Sequence, residues 1–449
     1  MVFSLCLRNE YGLILKETFM LKMKRKLQQL DQSGRKIRIS LVGAGKMGNG
    51  LINQMSRIQG MRPSVVVDEE VEKAKASLIA AGVKEENIIR TTSVKEAELA
   101  LKKDDFVISD DYTLAYKLNA IQGVVDATGN PPFGARLAKE SIDHYKHIIM
   151  LNVECDAVVG PILLDRANKK GVIYTGTAGD EPGAIMELAD FAEGVGFKLL
   201  AVGKGKNNPL NHYVTEEDLR EEALSKGLYP KMLTAFVDGT NTMIELTSVA
   251  NALGFTPDVV GCHGFETDVK RLPKQMSLKE QGGILNNYGT VDFAFGIAPG
   301  VFAVVTHESG EVKDLMKYLS MGEGPNYLLY RPYHLTSLET PMTIYNAIVE
   351  NDATIAPLQG QVSDTVTVAK RDLKKDQTLE GIGGKDVFGQ ITSHRDQKKR
   401  NLLPVGLITK NTKINCDIKK DTFITLDMVE LEEDNLIIQL RKEQDLLGL

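Results

Sequence analysis

Cysteine is scarce and poorly spaced for chemistry. The 449 residues hold four, Cys6, Cys155, Cys262 and Cys416, and no two form a Cys-x-x-Cys. That excludes a disulfide framework or a structural zinc site and fits reduced thiols in a cytoplasm. Positive charge is not in excess either. Lys and Arg number 54 against 60 Asp and Glu, a net charge of -6, and the basic residues are dispersed. A polyanion binder needs the reverse, so nucleic acid is not expected as a partner. No apolar run approaches the roughly 18 residues that span a bilayer, so no membrane partner is expected. There is no His-x-x-x-His, no His-Glu-x-x-His and no Gly-x-Ser-x-Gly. A dedicated metal site and a serine hydrolase are thus unsupported, and the isolated His263 and His334 read as structural. Residues 1–16 are mildly apolar, but Arg8, Asn9 and Glu10 interrupt them and the order of a signal peptide is missing. Met20 and Met23 are alternative starts.

What is present is ordinary globular composition, 43% hydrophobic and 25% charged, in a chain long enough for two or three domains. Residues 1–35 read as an extension with a basic lead-in helix over 22–30. From Lys36 short apolar runs alternate with amphipathic stretches. Strands are predicted at 37–42, 65–68, 106–109, 124–127 and 147–151, with helices at 50–58, 69–81 and 133–146 between them. This alternation predicts a doubly wound parallel sheet of the Rossmann type over residues 36–151. Residues 152–356 read as an α+β substrate domain. Strands are expected at 172–175 and 199–202, helices at 183–193 and 240–253, and a pair of strands at 291–295 and 302–306. Residues 357–449 change to short β-rich runs at 365–369, 388–392, 405–408, 423–426 and 436–440, a small all-β module.

Gly43-Ala44-Gly45-Lys46-Met47-Gly48 is a G-x-G-x-x-G between a predicted strand and a predicted helix. Asp68 follows 20 positions after the last glycine, at the end of the next apolar run. In a dinucleotide fold Gly43 makes the tight turn, Gly45 lets the backbone approach a pyrophosphate, and Gly48 lets the helix pack on the sheet. The helix N-terminus then faces the phosphates. Asp68 would accept the adenosine ribose hydroxyls and favour NAD, while Lys73 or Arg62 could soften its repulsion of a 2′-phosphate and admit NADP. Thr128, Gly129 and Asn130 end one strand, and Asn152 and Glu154 end the next. Both turns belong at the carboxyl edge, beside a nicotinamide.

Three segments carry the substrate chemistry. Gly179-Asp180-Glu181-Pro182-Gly183 puts two carboxylates at a helix start, where they cap the helix, relay a proton, bind hydroxyls or hold a cation. Lys204 and Lys206, flanked by Gly203 and Gly205, read as a basic turn after a strand. There they stay solvated, donate a proton or stabilise a developing alkoxide, or clamp a phosphate. Asp238, with Asn241 on the helix that carries Glu245, reads as a turn and cap or as a substrate loop.

The glycine loop with its preceding strand, the Val125-Asp126-Ala127-Thr128-Gly129 turn and Gly179-Asp180-Glu181-Pro182-Gly183 together resemble homoserine dehydrogenase-like oxidoreductases with a C-terminal SAF domain. Val368-Ala369-Lys370-Arg371-Asp372-Leu373 and Leu403-Pro404-Val405-Gly406-Leu407 resemble the SAF, or β-clip, module. The resemblance covers about residue 21 to the C-terminus. One branch is the 1-deoxy-D-xylulose 5-phosphate reductoisomerase-like enzymes, which use NADPH in isoprenoid synthesis. The resemblance implies an NAD(P)-dependent oxidoreductase of a small hydroxylated carbonyl compound, with or without a phosphate, and a homodimer. It also implies a lysine acid/base, for which Lys204 and Lys206 are candidates, with Glu181, Asp238 and Asn241 orienting hydroxyls. Homoserine or polyol phosphate dehydrogenation and a non-catalytic dinucleotide or sugar sensor are the alternatives.

Overall fold

The computed structural model describes residues 22–449. The expectations for the first twenty residues, with Cys6, fall outside that range. The lead-in helix runs Lys22–Gln32.

Seven strands build the first sheet: β1 Ile37–Val42, β2 Met61–Val67, β3 Ile88–Arg90, β4 Phe106–Ser109, β5 Gly123–Asp126, β6 His147–Met150 and β7 Tyr174–Gly176. Their order is β3-β4-β2-β1-β5-β6-β7. Every pairing is parallel. The chain winds outward from β1 in both directions, so the crevice between the β1 and β5 ends is the switch point where α/β sheets bind ligands. The five predicted strands are all present. The run at 172–175, read with the second region, is β7 and extends the first sheet beside β6.

The second sheet holds β8 Lys198–Gly205, β9 Thr256–Pro257, β10 Phe265–Glu266, β11 Thr290–Phe295, β12 Val301–Thr306 and β13 Asn326–Arg331. Its order is β10-β11-β8-β12-β13, with β9 also on the free edge of β11. The strands expected to pair with one another, β11 and β12, instead flank β8. β11 runs parallel to it and β12 antiparallel. The helices Glu181–Gly194 and Thr240–Leu253 cover one face with a core of Ile185, Leu246, Val249, Val202 and Phe293.

Beyond residue 360 come small antiparallel sheets, β14 Ser363–Ala369 with β15 Val387–Ser393, and β16 Lys413–Ile414 with β17 Val429–Glu430. Two predicted strands are helical instead. Residues 405–407 form a 3-10 turn, and the run at 436–440 begins the helix Leu436–Leu447. Over five residues Leu-Ile-Ile-Gln-Leu looks like a strand. The ends decide otherwise: the Asn435 side chain accepts the Ile437 N–H, and Gly448 closes the helix at φ 67°. The helix buries Ile437, Ile438, Leu440, Arg441 and Gln444, at the 3–4 spacing of one face.

That face packs on the helix Val153–Lys170, where Gln444 Oε1 accepts the Ile162 N–H at 3.0 Å. One hydrophobic core therefore runs from Val65, Val107 and Val124 of the first sheet through Val159 and Ile162 into Leu373, Val387, Leu403 and Leu440. The terminal module is joined to the dinucleotide-type domain by shared core, not by a tether. Among the described residues no helix is long and apolar enough to cross a membrane.

Because Leu440 is 1% exposed in this shared core, Leu440→Ala should cost about 2–5 kcal/mol. Urea denaturation should show one cooperative transition moved to lower denaturant. A variant whose first domain keeps the wild-type midpoint would contradict the shared core.

Candidate active site

The helix after β1 starts at Lys46, four residues before the predicted start, with Gly45 at its N-cap. Gly48 and Gly50 are weak helix formers and hid that first turn in the sequence. Each glycine has a distinct reason. Gly43 has φ +100°, and a Cβ there would lie 2.7 Å from the Ala127 carbonyl oxygen. A Cβ on Gly48 would lie 1.9 Å from the Gly43 oxygen, whereas one on Gly45 would meet nothing within 4 Å. The space beside Gly45 is open, and no side chain caps the helix. Uncapped N–H groups with backbone approach free are what a pyrophosphate requires.

Asp68 braces this loop. Its Oδ2 accepts the Ala44 N–H at 2.7 Å and its Oδ1 the Glu70 N–H at 2.9 Å. The two cations considered near it are engaged elsewhere. Arg62 lies at the far end of β2, paired with Asp104 at 2.8 Å and stacked on Phe106. Lys73 is bound by Glu70 and Tyr229.

Thr128, Gly129 and Asn130 line a cleft of about 1160 Å³ with Met47 and Glu154. Asn152 does not. It is fully buried behind the turn and donates to Asp126 Oδ2 at 2.9 Å and to the Asn130 carbonyl at 3.0 Å. Asp126 also accepts the Thr128 N–H and hydroxyl. The pair shapes the turn from within, which corrects the expectation that Asn152 faces a nicotinamide. Glu154, in the first turn of the next helix, does face the cleft, and burial pushes its carboxyl up to about 7.

The lysines are not in a turn. Lys204 lies inside β8, and Lys206 follows the strand directly. The flanking glycines serve the sheet: a Cβ on Gly203 would lie 2.0 Å from the Asp292 oxygen, and one on Gly205 2.5 Å from Ala298 N. The two-residue period of a strand turns Val202, Lys204 and Lys206 to one face. Both lysines are 5% exposed. Lys204 is held between Glu181 and Glu245. Asn241, one turn before Glu245, donates to its Oε1 at 2.6 Å. Lys206 donates to the Phe236 carbonyl at 2.6 Å.

Asp180 occupies the N-cap position of its helix, but its side chain caps nothing. It faces the same cleft as Glu181. Asp180, Glu181 and Glu245 bring carboxylate oxygens within 4.8 Å of one another, a spacing that suits a cation. The Lys204 ammonium supplies the positive charge there.

Their protonation follows from crowding. Burial alone would lower Lys204, but the two glutamates override it and hold its pKa above the usual lysine range. Burial would raise Glu181, and Lys204 and His334 outweigh it and keep it ionised. Asp180 and Glu245 are pushed up, by burial first and by the Glu181 charge second. Lys206 is lowered to about 8, by burial first and by the Lys204 cation second.

His334 and the terminal module were not legible as parts of the site. His334 Nδ1 is 3.1 Å from the Gly179 oxygen, and its Nε2 is 3.5 Å from Glu181. Gly179, at φ +80°, has no room for a Cβ against Glu339 and the Thr336 oxygen. The terminal module contributes Glu380, Ile382, Ile408 and Thr409 to the cleft wall. Asp238, expected among the substrate ligands, is fully buried outside the cleft lining and reaches Lys370 Nζ at 2.8 Å. The Asn241–Glu245 spacing, one helical turn, was readable; the neighbours of His334 were not.

Residues 179–340 match the family model described as "Oxidoreductase DRL, catalytic domain". They include Asp180, Glu181, Lys204, Lys206, Asn241, Glu245 and His334. The chain is of the oxidoreductase type. Among curated proteins none matches it. Solved structures align at low identity. A probable dehydrogenase from Thermotoga maritima is 13% identical over 72% of this chain and 92% of its own, with a TM-score of 0.41. A putative myo-inositol dehydrogenase from Sinorhizobium meliloti 1021 is 12% identical over 72% and 93%, TM-score 0.41. A scyllo-inositol dehydrogenase from Lactobacillus casei, with NAD(H) and scyllo-inositol bound, is 11% identical over 72% and 93%, TM-score 0.40. At such values nothing about substrate passes from them to this chain.

The lysine pair should titrate as a unit. Amine-modification rates at Lys206 should rise with pH through about 8. Lys204→Met removes a repelling cation and frees two carboxylates, so that midpoint should move to higher pH. An unchanged midpoint would show that the two ammonium groups do not interact.

Proposed function

We propose that this chain is an NAD-dependent oxidoreductase that transfers hydride to or from the carbonyl carbon of a small hydroxylated compound. The observation that carries the reading is one cleft lined by both the switch-point residues Met47 and Thr128–Asn130 and the buried Lys204, Glu181, Glu245, Asn241 and Lys206 cluster. The fit to a dinucleotide is physical: space at Gly45, an uncapped helix end, and an acid after β2. Asp68 favours free ribose hydroxyls over a 2′-phosphate; Arg62 is paired with Asp104, and Lys73 lies at the surface beside Glu70.

The bound nicotinamide supplies or accepts the hydride. The protein's residues handle the oxygen and its proton. An ammonium has three donors. Lys204 spends two on Glu181 and Glu245, which leaves one to hold the substrate oxygen and stabilise alkoxide character in a water-poor site. Lys206 spends one donor on Phe236 and exchanges its proton near pH 8, which suits a general acid and base. Asn241 and the carboxylates orient neighbouring hydroxyls. Burial of the cluster excludes water.

The finer reading is a 1-deoxy-D-xylulose 5-phosphate reductoisomerase-like reaction, in which skeletal rearrangement precedes reduction. The sequence resemblance supports it; the oxidoreductase DRL match over residues 179–340 supports oxidoreductase chemistry only. Homoserine and polyol phosphates are the competing substrates.

Calorimetry should show NAD binding that Gly45→Val abolishes, and Asp68→Asn should narrow the preference for NAD over NADP. With 1-deoxy-D-xylulose 5-phosphate, L-homoserine and sorbitol 6-phosphate as the panel, cofactor absorbance should report turnover of one class. Lys204→Met and Lys206→Met should each lower kcat by about 10²–10⁴-fold. NAD binding without turnover of any of them would favour a dinucleotide sensor. Full activity in both lysine variants would remove the assigned chemistry.

A further inference from the structure

One buried ion pair outside the proposed chemistry joins the two sides of the cleft. Lys370, directly after β14, has a side chain only 2% exposed, and its Nζ lies 2.8 Å from Asp238 Oδ2. It also donates to the Val214 carbonyl at 2.9 Å and to the Gly384 carbonyl at 2.8 Å. Two of its donors thus meet carbonyl acceptors, and its charge meets the Asp238 carboxylate as an ion pair. Asp238 stands two residues ahead of the helix Thr240–Leu253, and its Oδ1 accepts the Thr240 N–H at 2.8 Å. That helix carries Asn241 and Glu245 into the cleft.

On the other side, Gly384 continues the segment 378–382, which is part of the cleft wall. This segment is tied down along its length. The Glu380 N–H donates to Asp386 at 2.9 Å. Gly383, at φ +70°, sits so close to the Lys231 carbonyl that a Cβ would be 2.0 Å away. A second strap joins the same helix to β15, where the Gly389 N–H donates to Thr240 Oγ1 at 2.9 Å. Stability alone is a poor reason for such a pair, because an apolar pair of similar volume often serves a core equally well. A buried charge differs in demanding one set of acceptors in one place.

We infer that Lys370 and Asp238 are positioning residues, a latch that sets the wall segment 378–382 in register with Asn241 and Glu245. The terminal module is then a working wall of this chain's own cleft. The turnover part of the test rests on the proposed oxidoreductase reading; the latch itself does not.

The full chain carrying both Asp238→Leu and Lys370→Met tests it. Lys370→Met alone strands a buried carboxylate and is expected to fold poorly, whereas the double variant leaves no unpaired charge. Amide exchange in the folded double variant should accelerate at least about tenfold in residues 378–386 and 240–245, while residues 43–48 keep wild-type protection. The NAD dissociation constant should stay within about twofold, and KM for the panel compound turned over should rise about tenfold or more with a smaller change in kcat. Unchanged exchange in both segments overturns the latch, as does unchanged KM in an active enzyme. If the wild type turns over no panel compound, the oxidoreductase reading fails, and amide exchange still decides the latch.

Discussion

A lysine ammonium buried between two glutamates is the constraint around which the second sheet and its covering helices are built. Moving ions of this size out of water costs several kcal/mol each, even after relaxation. Lys204 is tolerable only because Glu181 and Glu245 meet it, and each of those is placed by a different element. Lys204 comes from the centre of the second sheet, Glu181 from the first turn of one covering helix, and Glu245 from the other. Removing one partner would leave an uncompensated buried charge, a loss of about 3–5 kcal/mol. The cluster therefore fixes how both helices sit on the sheet, and Asn241 and Lys206 take their positions from it.

The same crowding prepares the chemistry. Three carboxylates around one ammonium cannot all ionise. Glu181 holds its charge while Asp180 and Glu245 are driven toward the neutral form. Lys206, shielded from water and repelled by Lys204, is lowered to about 8. In the proposed reaction, a fixed cation next to a lysine whose pKa is lowered to about 8 divides two tasks of carbonyl chemistry between neighbouring side chains on one strand face.

The first domain was largely legible because its signals are local. The glycine loop, the alternating runs and Asp68 lie within about thirty residues and follow rules of turn geometry and periodicity. Gly43 and Gly48 leave no room for a Cβ against neighbouring backbone, and the space beside Gly45 is open. Elsewhere local signals misled. Glycines beside Lys204 resembled a turn, yet they let neighbouring backbone approach within the sheet. The apolar run at 436–440 resembled a strand, yet caps at Asn435 and Gly448 made it a helix. Asp238 resembled a ligand in a loop, yet it is locked onto Lys370, 132 positions along the chain.

The sequence by itself determined the Rossmann-type sheet, the glycine loop that leads into its first helix, and Asp68 at the end of the second predicted strand. Each depends on contacts between residues close in the chain. Only the tertiary structure decided that Lys204 is paired rather than solvated, that His334 touches Glu181, and that Asn152 lies behind its turn. It alone placed the terminal module in the cleft wall. These follow from burial, which removes water as the default partner and leaves each polar group to whatever distant residue the fold brings within reach.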